Sequence, residues 1–201
     1  PPADRAQLTQ FMKELRAALA PSGYRVTMSV PAKHKDAPTS AWVGAFDYYE
    51  LGRVCDQVMI MTYDEHTSGT RPGPIASLPW VEKVVKYAST QMPKRRVLLG
   101  VAAYGYDWNT STNRARAVTY QQAVANAAKH GKKIQWDAQA ATPHYRYKSG
   151  NVTREVWFES ADSLKAKLKL VEKYGLGGIA IWRLGQEDAG YWELIQKELL
   201  K

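Results

Sequence analysis

The stretch VMIMTYDEHTSG, from Val58 to Gly69, decides the fold class. It starts as a strand that is apolar on both faces and ends in a polar loop led by Tyr63 and Asp64. Strands of this kind are typical of parallel sheets covered by helices. Parallel α/β folds place their sites where such strands end. The stretch therefore predicts a buried parallel strand with proton-holding groups at its C-terminal end, including Glu65 and His66.

Helices and strands alternate over most of the remaining chain. The first helix is predicted within residues 5–24, where Pro21 and Gly23 end it, with an apolar face made of Leu8, Phe11, Met12, Leu15, Ala18 and Leu19. The other predicted helices are YYELGRVCD, LPWVEKVVKYASTQM, SADSLKAKLKLVEKYG and GYWELIQKELL. The predicted strands are YRVTMSVPA, QVMIMTYD, RRVLLGVAAYGYDW and GLGGIAIWRLGQED.

This order predicts an α/β protein and leaves two architectures open. One is a doubly wound open sheet, and the other is part of a (β/α)8 TIM-barrel. No glycine-rich phosphate loop follows any predicted strand, which disfavours the nucleotide-binding version of the open sheet.

Residues 110–157 interrupt the alternation. TYQQAVANAAKHG predicts one helix, and the aromatic and polar segments after it predict two or three antiparallel strands, with KSGN at 148–151 as a hairpin turn. We therefore expect an α+β insertion subdomain at 110–157, carried by a main domain of residues 1–109 and 158–201.

Composition restricts the class of partner and cofactor. The net charge of +9 favours an anionic partner, such as an acidic cell-wall polymer. Basic residues form no long tract, so we predict no nucleic-acid partner, and no apolar run is long enough for a membrane span. Cys55 precedes an apolar run and is interpreted as a buried structural thiol. The four histidines lack ligand spacing, so neither a metal nor a cofactor is predicted.

Aromatic and acidic residues dominate three of the four predicted strand ends. They are Tyr63, Asp64 and Glu65, then Tyr104, Tyr106, Asp107 and Trp108, then Trp182, Arg183, Glu187 and Asp188. Aromatic rings stack on the C–H faces of sugars, while carboxylates and phenols bind hydroxyl and N-acetyl groups. This pattern predicts a carbohydrate-binding cleft.

Three segments resemble the sixth, seventh and eighth barrel strands of glycoside hydrolase family 18, the chitinase family. They are residues 56–81, 97–108 and 175–188, and PPADRAQLTQFMKELRAAL resembles the helix after the fourth strand. The likeness is strongest to the bacterial branch of spore-cortex and cell-wall N-acetylglucosaminidases. It implies barrel strands five to eight, with 110–157 as the family's insertion.

The family motif D-x-x-D-x-D-x-E, whose glutamate is the general acid, is absent from the sequence. The resemblance implies that this motif lies upstream, so the 201 residues alone should be inactive. It also implies a missing N-terminal half-barrel, or self-association in its place, and is compatible with LysM modules upstream. The implied location is secreted and associated with a bacterial cell wall or spore.

The resemblance also implies a mechanism in which the acetamido oxygen of the substrate attacks the anomeric carbon. Tyr63 would bind the acetamido carbonyl, and Asp64 would contact a hydroxyl or acetamido group nearby. Trp182 would be the floor under the reacting sugar. The remaining candidates are Met61 at the pocket base, Tyr104, Tyr106 and Trp108 as walls, and Arg183 and Glu187 as polar wall residues.

Three alternatives stay open at this point. The chain could belong to a non-catalytic, lectin-like relative, to a basic scaffold for acidic wall polymers, or to a two-carboxylate glycosidase built from Asp64 and Glu187. The substrate of a glycosidase could be peptidoglycan, including spore cortex, or chitin.

Overall fold

The computed structural model describes residues 1–199, so Leu200, the last residue of the predicted C-terminal helix, and Lys201 lie outside it. The helices are α1 (Arg5–Leu19), α2 (Tyr48–Val54), α3 (Leu78–Gln91), α4 (Tyr120–Lys129), α5 (Ala161–Tyr174) and α6 (Gly190–Leu199). The strands are β1 (Thr27–Pro31), β2 (Gln57–Met61), β3 (Val97–Ala102), β4 (Tyr104–Asn109), β5 (Ala115–Thr119), β6 (Gln135–Asp137), β7 (Thr142–Ser149), β8 (Val152–Phe158) and β9 (Gly178–Trp182).

Two sheets organise these strands. A four-stranded sheet has the order β1-β2-β3-β9, and β2 pairs in parallel with both β1 and β3. This confirms the predicted parallel sheet. A five-stranded sheet has the order β5-β4-β8-β7-β6, and all its pairs are antiparallel.

The predicted third strand, 95–108, is wrong as one element. It breaks at Ala103 into β3 and β4, which belong to different sheets. The amide of Ala103 donates to the carbonyl of Trp182 at 2.9 Å, while β4 pairs with β5 and β8. Apolar residues continue through the break, so periodicity alone does not reveal it.

The first of two compact units comprises residues 1–62, 82–100 and 170–180. Its fully buried side chains include Val30, Leu51, Ile60, Val84, Val85 and Leu99. The predicted apolar face of α1 is only partly confirmed, because Met12 is buried but Phe11 is 56% exposed and Ala18 is also exposed. The buried stripe is narrower than predicted and includes Thr9. Cys55 is completely buried, as expected for a structural thiol.

The second unit comprises residues 63–81, 101–169 and 181–199 of the described chain. One face of its antiparallel sheet packs with α4 through Val118, Ala123, Tyr145, Val156 and Phe158. The other face contributes Tyr104, Trp108 and Trp157 to a second core. Helix α4 begins with a capping box formed by Thr119 and Gln122. Gly150, at φ 58°, lies in the turn that connects β7 to β8, as the KSGN motif predicts.

No helix within residues 1–199 has both the length and the apolar composition needed to cross a bilayer.

Candidate active site

Asp64 is an exposed carboxylate held at a fixed position just after β2. Its backbone adopts φ 62°, a left-handed conformation that is uncommon outside glycine. The hydroxyl of Tyr104 donates to Asp64 Oδ1 at 2.5 Å, and that of Tyr106 donates to the same atom at 3.3 Å. Within residues 1–199, no group binds Oδ2. One oxygen is therefore fixed by protein, and the other is free to accept from a ligand.

Aromatic rings continue from this carboxylate in an edge-to-face series. Ring centroids are 6.5 Å apart for Tyr63 and Tyr104, 5.6 Å for Tyr104 and Tyr106, and 5.3 Å for Tyr106 and Trp108. Trp108 is completely buried, and its indole donates to the carbonyl of Thr67 at 3.2 Å. It therefore supports the Tyr106 ring from below and has no exposed surface.

The tyrosine hydroxyls of the site stay protonated at neutral pH. Burial and the Asp64 carboxylate raise the pKa of Tyr106 to about 12. Burial, with the hydrogen bond to Asp64, raises the pKa of Tyr104 still further. Burial first and Asp64 second also raise the pKa of Tyr63. The Tyr63 hydroxyl has no hydrogen-bond partner within the described chain, so it can donate to a ligand oxygen.

Glu65 and His66, the other two polar residues after β2, hold the loop that follows. Glu65 Oε2 accepts from the amide of Ser77 at 2.7 Å. His66 Nδ1 lies 3.0 Å from the carbonyl of Pro74, and Gly73 packs closely against the imidazole ring. These contacts hold the loop together, so Glu65 and His66 have a structural role, whereas partly exposed Tyr63 and exposed Asp64 remain available to a ligand.

The third group of candidates follows β9. Trp182 is 54% exposed, and its carbonyl accepts from Ala103, the residue before Tyr104. Arg183 is exposed and has no partner in the part of the chain that the structure describes. Glu187 is occupied locally, because its carboxylate accepts from the amide of Gln186 at 2.9 Å and the indole of Trp192 at 3.1 Å. Burial would raise the pKa of Glu187, but its local hydrogen bonds lower it overall.

Met61, another candidate, is the last residue of β2 and is partly buried in the first unit. Asp107 is completely buried on the opposite face of the antiparallel sheet, where Arg116, Arg154 and Tyr147 donate to its carboxylate.

Trp42 is an exposed aromatic residue that the sequence analysis did not select. It is 80% exposed in the loop after β1, in the first unit. The signal available was its position after a parallel strand, the same signal that selected Tyr63 and Asp64.

Known proteins match nearly the whole of this chain. The cortical fragment-lytic enzyme of Bacillus subtilis is 34% identical over 202 residues, which cover 98% of this chain and 47% of that protein. The crystal structure of the Bacillus cereus spore cortex-lytic enzyme SleL superposes with a TM-score of 0.92 at 34% identity, covering 98% of this chain and 46% of that one. A chitinase structure from Chromobacterium violaceum gives 0.92 at 31% identity, covering all of this chain and 63% of that one.

The chain thus spans less than half of the two Bacillus proteins. These neighbours confirm the α/β class and a fold of the TIM-barrel type. The profile of glycosyl hydrolases family 18 matches residues 1–187, and the chain belongs to that family.

Proposed function

We propose that the protein containing this chain is a glycoside hydrolase that cleaves polysaccharides of β-linked N-acetylglucosamine. Family membership supports this reaction class, and the names of the Bacillus relatives point to spore cortex as the material. The chitinase neighbour keeps chitin as the second substrate to test. We also propose a secreted location associated with the cell wall or spore, which the names of the same relatives support.

The pairing of a fixed carboxylate with an unpaired phenol carries the proposal. Asp64 is held through one oxygen only, and the adjacent Tyr63 hydroxyl is free within residues 1–199. An acetamido group offers the complementary pair, an N–H donor and a carbonyl acceptor. In the proposed mechanism, Tyr63 donates to the acetamido oxygen and Asp64 holds the N–H or a neighbouring hydroxyl. This orients the acetamido oxygen for attack on the anomeric carbon.

The surrounding residues support this step in different ways. Tyr104 and Tyr106 hold Asp64, and buried Trp108 supports Tyr106. Exposed Trp182 supplies the stacking floor. The proposal also keeps Met61 at the pocket base and Arg183 and Glu187 as polar wall residues.

The proton donor for the leaving oxygen comes, in this proposal, from outside the 201 residues, because the sequence contains no D-x-x-D-x-D-x-E motif. Glu187 is a poor substitute, since both its oxygens accept local hydrogen bonds. This also makes the two-carboxylate alternative less favourable.

We assign β1, β2, β3 and β9 to barrel strands five to eight, and residues 110–157 to the insertion. Pairing with an N-terminal half-barrel, or with a second copy, would cover the outer edges of β1 and β9. Both edge strands are more exposed than β3, which supports this assignment. LysM modules upstream would add wall binding.

Titration of the protein with an N-acetylglucosamine oligomer tests the proposal. Tyr63→Phe removes one donor to the acetamido group, so we expect affinity to fall about tenfold, while Asp64→Asn lowers it at least as much. Tyr24→Phe is the matched control, because Tyr24 is 65% exposed in the first unit. Unchanged affinity in both Tyr63→Phe and Asp64→Asn would contradict the assignment.

A further inference from the structure

The sheet face that carries Tyr106 continues across three more strands. Tyr106 opposes Trp157, Trp157 opposes His144, and His144 opposes Gln135 in the antiparallel register. Directly opposed residues project from the same face of a sheet. Three strand spacings place Gln135 about 14 Å from Tyr106 along this row. The row therefore leads from the tyrosines that hold Asp64 to a separate area of the same face.

A cationic groove of about 550 Å³ lies at the far end of this row. Its rim carries Lys132, Lys133 and Arg146. Both lysines are exposed, and neither has an ion-pair or hydrogen-bond partner for its ammonium group within residues 1–199.

The carboxylates of the groove offset the charge of these lysines only in part. Glu155 accepts from the indole of Trp157 at 2.7 Å and, through its other oxygen, from Arg146 at 2.7 Å. Asp137 accepts from two backbone amides in the turn after β6. The three cations face two carboxylates, so the groove has one positive charge in excess when His144 is neutral.

In the groove, the partly exposed His144 ring lies face to face on the buried Trp157 ring, with centroids 4.3 Å apart and planes 12° from parallel. Burial lowers the pKa of His144, despite the opposing effects of Glu155 and Asp137, so the imidazole is neutral at neutral pH. Its Nδ1 is buried and has no partner within the described residues. An aromatic surface beside unpaired cations suits a sugar ring that carries an anionic group.

We propose that this groove binds the carboxylate of an acidic sugar located in the same polysaccharide chain as the N-acetylglucosamine held at Asp64. The inference rests on the proposed function, and it narrows the substrate class to acidic N-acetylated polysaccharides. Lys132 and Lys133 contact the carboxylate, while the His144 ring contacts the apolar face of the sugar. The positive net charge of the chain, +9, favours the same substrates at long range.

Three probes test the inference by calorimetric titration of the protein. They are the tetrasaccharide of alternating N-acetylglucosamine and N-acetylmuramic acid, its carboxamide, and the neutral tetramer of N-acetylglucosamine, because a disaccharide is too short to span the distance of about 14 Å between Tyr106 and the groove. We expect the carboxylate form to bind about threefold to tenfold more tightly than the carboxamide, as two exposed charge contacts allow. The preference should weaken with added salt.

Two double variants locate the effect. Lys132→Met with Lys133→Met should abolish the preference for the carboxylate. Lys165→Met with Lys169→Met removes the same charge from exposed positions on α5 and should preserve the preference. The His144 ring protons should shift in NMR spectra when the carboxylate form binds.

The outcomes separate the two proposals. Equal affinity of the wild-type protein for carboxylate and carboxamide overturns this inference alone, provided that binding depends on Tyr63. Equal loss of preference in both double variants also overturns it, because the effect would then come from net charge. Failure of all three probes to bind overturns the proposed function as well.

Discussion

Tyr104→Phe tests how far catalysis and binding depend on the fixed position of Asp64. The substitution removes the 2.5 Å hydrogen bond to Oδ1 and leaves only the 3.3 Å contact from Tyr106. A hydrogen bond to a charged group contributes about 1.5–3 kcal/mol. We expect roughly half of that, about 0.8–1.5 kcal/mol, to appear as lost ligand affinity, which is about fourfold to tenfold. Tyr106→Phe should cost less, because its contact is longer.

Calorimetry with an N-acetylglucosamine oligomer measures the affinity, and urea unfolding measures the stability of each variant. Tyr145→Phe is the matched control, because the Tyr145 hydroxyl is also buried but donates to the carbonyl of Ala123 on the opposite face. It should lower stability by about 1 kcal/mol without changing affinity. Wild-type affinity in Tyr104→Phe, or a greater loss in Tyr106→Phe, would refute the reasoning.

Three further predictions concern stability and activity. Lys167→Met should lower the free energy of unfolding by about 3–5 kcal/mol, because it leaves Glu159 buried without its 2.5 Å ion-pair partner. Urea unfolding measures the free energy of unfolding, and a loss below about 1 kcal/mol would contradict the prediction. Stability should fall as pH rises above about 10, because tyrosines of the unfolded chain release protons there while Tyr106 of the folded chain keeps its proton up to a pKa of about 12. The fall with pH should be shallower in Tyr106→Phe, and an identical slope in the variant and the wild type would contradict this prediction. The 201 residues alone should release no sugar from cortex or chitin and should self-associate through β1 or β9, which a reducing-sugar assay and sedimentation can check.

The parallel sheet could be predicted because its strands have distinct local patterns. Val58 and Ile60 are fully buried, and the polar residues after β2 mark its end clearly. Helix α3 could be predicted in the same way, since it buries Val81, Val84 and Ala88 at helical spacing, whereas the apolar face predicted for α1 was only partly correct. The local sequence was sufficient to predict a helix or strand wherever the apolar pattern and the flanking turn residues indicated the same element.

The break between β3 and β4 at Ala103 could not be predicted from the local sequence. The run from Val97 to Trp108 stays mostly apolar, because both sheets that it joins are buried there. Only pairing with distant residues, such as Phe158 opposite Gly105, separates β4 from β3. For the same reason the sequence did not reveal the row from Tyr106 to Gln135, which depends on the register of four strands.

The candidate site was partly predictable. Tyr63, Asp64 and Trp182 were selected by their positions after strands, and the structure gives all three at least partly exposed side chains. The sequence could not distinguish partly exposed Tyr106 from buried Trp108, because alternate residues of β4 share one face and differ only in what covers them. Their difference depends on the loop that Thr67 brings over Trp108.

The central claim is that this chain binds the acetamido group of its substrate. The most direct measurement compares the affinity of the protein for the tetramer of N-acetylglucosamine with its affinity for the glucose tetramer, which has hydroxyls in place of the acetamido groups. We expect the N-acetylglucosamine tetramer to bind at least tenfold more tightly, because Tyr63 and Asp64 would lack partners in the other complex. Equal affinity for the two tetramers would contradict the account.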